Sequence, residues 1–142
     1  MPHVDPVTWQ PISQMPLIAS IIDGALDDTR DHAGTLNEAR ARPHVLDDAT
    51  IDRIERVHTE QLEFVNIYDQ QINRWRTEKP SADQTRELDR MEQQNRQLRA
   101  VTMEVLALAG ELRKGSIDRI MEMSDFELGL QALLGGGFTG QR

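Results

Sequence analysis

The chain contains no cysteine. That absence excludes a disulfide framework, a thiolate metal site and a thiol nucleophile together. Aromatic residues are nearly as scarce, at 4% of the sequence. Strands draw on aromatic and β-branched side chains, so their shortage tips the balance toward helix. Lysine occurs only as Lys79 and Lys114, and the remaining basic residues are arginines interleaved with acids. With a net charge of -8, the chain offers no basic patch to offset nucleic-acid phosphates. Anionic lipid would repel it for the same reason.

Long apolar runs are missing as well. No stretch approaches the ~20 apolar residues needed to span a bilayer. The opening "MPHVDPVTWQPISQMP" has neither the basic start nor the apolar core of a signal peptide. The expectation is a cytoplasmic protein with no nucleic-acid and no membrane partner. Arginine-heavy, lysine-poor usage is associated with high-GC bacterial genomes, and a bacterial origin is expected on that association alone.

Patterns for catalysis are absent too: there is no Gly-x-Ser-x-Gly elbow, no phosphate loop and no dinucleotide fingerprint. "LLGGGFTG" is glycine-rich but follows a helical pattern, whereas a phosphate cradle needs a helix N-terminus after it. Residues 136–142 therefore read as a flexible tail, and neither an enzyme nor a cofactor is expected.

What is present is helical periodicity. Prolines at 2, 6, 11 and 16 make residues 1–16 an extended arm, with Trp9 as its one large apolar anchor. From Leu17 the positions Ile18, Ile21, Ile22, Ala25, Leu26, Thr29, Ala33, Leu36 and Ala39 form one stripe, ended by Pro43. A second helix is expected from Asp48, its early aspartates and late Arg74 and Arg76 matched to the helix dipole. Its stripe runs through Ile51, Ile54, Val65, Tyr68, Ile72 and Trp75, and leaves Val57 against His58 and Leu62 against Gln61 undecided.

"SADQ", Ser81 to Gln84, is a capping box for a third helix. Leu88, Met91, Asn95, Leu98, Thr102, Val105, Ala109 and Leu112 then follow in a coiled-coil-like alternation, with Gly115 as the expected C-terminal cap. Short connections force neighbouring helices antiparallel. The fold class is thus all-α: a long antiparallel up-down-up three-helix bundle over residues 17–114. Ser116 and "SDFE" (Ser124 to Glu127) suggest short helices over residues 115–135 that cap the bundle.

Four features could carry function. Glu55 and His58 have the Glu-x-x-His spacing of di-metal helical bundles, but no second such motif exists. The simpler reading puts His58 beside the core and Glu55 in solvent. Asp28 and His32 lie one turn apart, and a charged outer face neutralised by Arg30 explains them without a metal. Asn95 falls in the apolar seam, where a buried amide can set register; alternatively it bonds to Gln61 or water. Finally, "LRAVTMEVLALAGEL" is apolar over more than half the helix circumference, which one buried stripe does not require.

The C-terminal helices folding back, or a partner, would cover that surface. Met103, Leu106, Phe126 and Leu130 are the expected partner interface. The leading expectation is a non-enzymatic interaction or scaffold protein that self-associates, most simply as a homodimer, or that binds another protein. A small acidic chaperone for an exported or helical partner is the second reading. A ferritin-like metal-binding bundle is the third.

Overall fold

Helix starts and stops in this chain are set by side chains that can be named. In the computed structural model, which describes residues 8–42 and 46–133 and side chains as far as Gly115, three α-helices follow one another with no strand among the described residues. A 3₁₀ turn, Ile12–Gln14, leads directly into α1, Met15–Ala39. Pro16 sits in the first turn of α1, where a missing N–H costs nothing. The arm therefore ends two residues earlier than its last proline suggests. Residues 1–7, the turn residues 43–45 and the tail 136–142 lie outside the described residues.

The second helix, α2, spans Asp48–Arg76. Asp47 caps it by accepting a hydrogen bond from the Thr50 N–H at 2.8 Å, and this bond holds the Asp47 carboxyl below its usual range. Before α3, Ala82–Leu133, the capping box closes in both directions. The Gln84 N–H donates to Ser81 Oγ at 3.1 Å, and the Ser81 N–H donates to Gln84 Oε1 at 2.9 Å. Lys79, between α2 and α3, takes a positive φ of 52°, a conformation that disfavours residues with a Cβ.

The expected stop at Gly115 does not occur. The backbone of α3 stays helical to Leu133, so "SIDR" and "SDFE" lie inside one helix and start no new ones. A single glycine costs a helix about 1 kcal/mol relative to alanine, and it ends one only where the chain turns left-handed. Gly24, Gly34 and Gly110 are likewise passed through.

Helix α3 is the spine. Helices α1 and α2 both pack along it and meet each other mainly through side chains, as in Gln61–Thr29 and His58–His32. This arrangement accounts for most of the wide apolar arc of α3: Val105, Leu108, Ala109 and Leu112 are buried, Val101 is half-buried and Met103 stays exposed. Arginines on α3 tie both flanks. Arg90 grips Asp23 of α1 at 3.0 and 3.1 Å and holds its carboxyl below the usual range by hydrogen bonding. Arg99 meets Asp69 of α2 at 2.7 Å.

The core has two apolar parts. One gathers Met15, Ile22, Leu26, Ile72, Trp75, Leu88, Met91 and Leu98 around the arm end. The other holds Ala33, Leu36, Ala39, Ile51, Val105, Leu108, Ala109 and Leu112 at the opposite end. Between them lies a polar layer. Thr29 and Thr102 donate their hydroxyls to the carbonyls of Ala25 and Leu98 at 2.7 and 2.6 Å. Their oxygens then accept from Gln61 Nε2 at 2.9 and 2.8 Å. One glutamine thus joins all three helices with every group in the chain of bonds matched.

Asn95 does not bond to Gln61, which is already engaged. It is fully buried, and its Nδ2 donates to the Val65 carbonyl at 3.0 Å and to Asp69 Oδ1 at 2.7 Å. Its Oδ1 meets no donor among the described residues. The two bonds from Nδ2 fix how α3 seats on α2.

The arm is held by its own bundle. Trp75 Nε1 donates to the Gln10 carbonyl at 2.9 Å, and the Gln10 N–H donates to Gln71 Oε1 at 2.8 Å. The Arg74 guanidinium lies over the Trp9 ring, 4.9 Å from its centroid, a favourable cation–π contact.

Candidate functional site

Because α1 and α2 both lean on α3, an open groove runs between them. On α1, Ile21, Ala25 and His32 share one side by their spacing of four and seven residues. On α2, Val57, Gln61, Phe64 and Tyr68 share one side by spacings of four, three and four. Between these two rows lie a cavity of about 420 Å³, walled by Leu36, Leu46, Ile54, Val57 and the two histidines, and a shallower one of about 230 Å³ beside Gln61, Phe64 and Tyr68. Large apolar side chains stand exposed along it: Ile21 at 42%, Val57 at 43% and Phe64 at 54%. Phe64 stacks on Tyr68, with ring centroids 6.4 Å apart. A groove walled mainly by apolar groups with few polar ones is the usual form of a binding site.

His58 and Glu55 point to different partners. The His58 Nδ1–H donates to the Ile54 carbonyl at 2.7 Å, which leaves Nε2 to accept from His32 Nδ1–H at 3.2 Å. Burial pushes the His58 pKa down; the Ile54 bond opposes that shift, and the neighbouring His32 adds to it. Glu55 is not free in solvent: it accepts from Arg113 at 2.6 Å, and Arg113 also binds Asp52. The Glu-x-x-His pair therefore diverges, one side chain toward α1 and the other toward α3. Among the described residues no group of three His, Asp or Glu side chains could hold a metal ion. Arg30, expected to neutralise the acids around it, instead donates to Gln97 of α3.

Of the four expected interface residues, Met103 is 56% exposed on the outer face of α3 and Leu106 is half-buried. Phe126 and Leu130 lie on the part of α3 whose side chains are not described. The structure does not bring Met103 into the groove. The groove residues Ile21, Val57 and Phe64 were not singled out from the sequence. The signal that could have found them is the ambiguity in the second helix, where two adjacent stripes compete; here His58 is buried and Val57 exposed.

The last described contacts of α3 with α2 and α1 are those of Arg113 with Asp52 and Glu55, and of Glu111 with Arg40 at 3.3 Å. Helix α1 ends at Ala39 and α2 begins at Asp48, both at this level, yet α3 runs on to Leu133. At 1.5 Å per residue the overhang is about 27 Å long. No helix among the described residues is long and apolar enough to cross a membrane. Comparison with protein-family models, curated proteins and solved structures returns no match.

Proposed function

We propose that this chain is a non-enzymatic helical-bundle interaction protein of the bacterial cytoplasm that works by self-association. One observation carries the reading: the bundle leaves an apolar groove open between α1 and α2, with Ile21, Val57 and Phe64 exposed along it. Exposed apolar surface of this extent on a small domain marks a place where something binds. The acidic remainder of the chain limits wrong encounters by like-charge repulsion. Met103, Leu106, Phe126 and Leu130 are the proposed contributors from α3.

Absolute molar mass by light scattering on a sizing column, across a range of concentrations, tests this. The expected result is a mass of twice the chain. Aspartate at Phe126 or Leu130 should return it to the monomer mass while the helical circular-dichroism signal is kept. A monomer at every concentration removes homodimerisation. The same groove favours a second reading, a small acidic chaperone whose open groove receives a helix of a different protein. That reading expects a monomer that binds an amphipathic helical peptide at the groove.

A further inference from the structure

The groove and the overhang are two halves of one requirement. Above the side chains that join α1 to α2, the apolar surface of Val57, Phe64 and the cavities beside them has no fourth helix over it among the described residues. Helix α3 meanwhile continues through residues 116–133 past the ends of both its partners. In one continuous helix the sequence of that segment places Phe126, Leu130 and Leu133 on one side, opposite Ile117 and Met121, and the Phe126 side is an apolar face that needs covering. An overhang of about 27 Å is longer than the ~10 Å that Val57 and Phe64 span along α2, at the same rise per residue.

Symmetry brings the two together. A continuous helix cannot double back into its own groove, so the groove it fills belongs to another molecule. With a two-fold axis at Gly115, where α3 leaves the bundle, each spine passes antiparallel along the outside of the other copy's α1 and α2. Phe126, eleven residues beyond Gly115, then lies level with Glu104, eleven residues before it. Leu130 similarly meets the level of Ala100. Those levels flank Thr102, which Gln61 of α2 contacts, and Val57 and Phe64 stand one turn to either side of Gln61. The most apolar part of the overhang thus arrives where the groove exposes its largest apolar side chains.

We propose that residues 116–133 of α3 dock in the α1/α2 groove of a second copy, completing a four-helix layer in each half of a two-fold dimer. The interface is isologous, so whatever area one docked helix buries is doubled. A stable assembly needs about 1,200–2,000 Å² in total, so each of the two helix-in-groove contacts has to supply about half of that. The inference rests on the self-association reading above and adds which surfaces meet.

The absence of cysteine makes the test clean. Two single-cysteine variants, Glu60→Cys in the groove and Glu127→Cys on the overhang, are mixed and treated with a short bismaleimide. The expected product is a mixed cross-linked dimer, several-fold above that from Glu127→Cys mixed with Glu38→Cys. Phe64→Asp in the groove and Leu130→Asp on the overhang should each shift the solution mass from dimer to monomer while unfolding stays cooperative. A dimer by light scattering that yields no Glu60–Glu127 cross-link overturns the docking and leaves self-association standing. Cross-linking within a single molecule of the doubly substituted chain, at high dilution, overturns it in favour of a folded-back helix. A monomer throughout overturns both.

Discussion

The two apolar ends of the bundle are built from different side chains, and they end up in different states. Around the arm, Trp75, Ile22, Leu26, Ile72, Met91 and Leu98 fill the space between three helices, and the arm closes over them. At the other end three of the eight core residues are alanines, Ala33, Ala39 and Ala109. The 420 Å³ cavity opens beside Leu36 and Ile54 at that end. The alanines let α1 approach α3 closely, and the cavity beside them is walled by larger side chains that do not fill it. The difference teaches that in this bundle side-chain volume, more than hydrophobicity, decides whether a helix pair is closed or left receptive.

The sharpest way to break this contrast is to empty the filled end. Trp75→Ala should lower unfolding free energy by about 3–5 kcal/mol, since the indole is fully buried and its N–H holds the arm. Chemical denaturation measures it, and Leu36→Ala at the cavity wall should cost distinctly less. Reversing the contrast comes next. Ile54→Phe grows into the cavity and should stabilise by up to ~1–2 kcal/mol. Ile72→Phe at the filled end should destabilise by ~1–3 kcal/mol. Equal effects of the two in thermal melts would dissolve the distinction between the ends.

A pH titration sharpens it further, because among the described buried residues His58 is the one histidine. Its pKa in the fold is depressed, chiefly by burial, so the unfolded chain binds its proton more readily. Stability is therefore fully present above the ordinary histidine range, near pH 6.5, and falls as pH drops through and below it. The neighbouring His32 adds to the penalty. His58→Gln should flatten this part of the Tm profile, and an unchanged slope would assign the acid sensitivity elsewhere. The smallest expected effect is Lys79→Gly, which relieves the left-handed φ and should raise Tm in the range that corresponds to about 0.5–1 kcal/mol.

Much of the fold was legible because several local signals pointed the same way. The stripe from Ile18 to Ala39, the Ser81–Gln84 box and the arginines ending α2 each specify a helix or its boundary, and each is found where expected. The end of α3 was not legible, since Gly115 and the serine after it suit a helix stop and a helix interior equally well. The polar layer was half legible. Thr29 and Thr102 fell on the stripes, but that Gln61 rather than Asn95 would bridge them depends on which face of α2 meets α1. Of the candidate site, the exposure of Met103 was readable from an over-wide apolar arc. The groove was not, because it depends on how widely α1 and α2 are spaced along α3, bridged by Gln61–Thr29 and His58–His32, and no residue of either helix encodes that alone.

The shared spine also sets an order of assembly. Side-chain contacts between α2 and α3 join residues 13 to 61 apart in sequence, as in Arg76–Asp89 and Arg113–Asp52, whereas those between α1 and α3 span 67 to 71. Closing the shorter loops costs less entropy. The hairpin of α2 and α3 is therefore expected to form first, with α1 zipping on afterwards. Substitutions on α1 such as Leu26→Ala should then speed unfolding while leaving the refolding rate nearly unchanged, and those at Leu98 should slow refolding. In kinetic terms the groove lies at the seam that closes last.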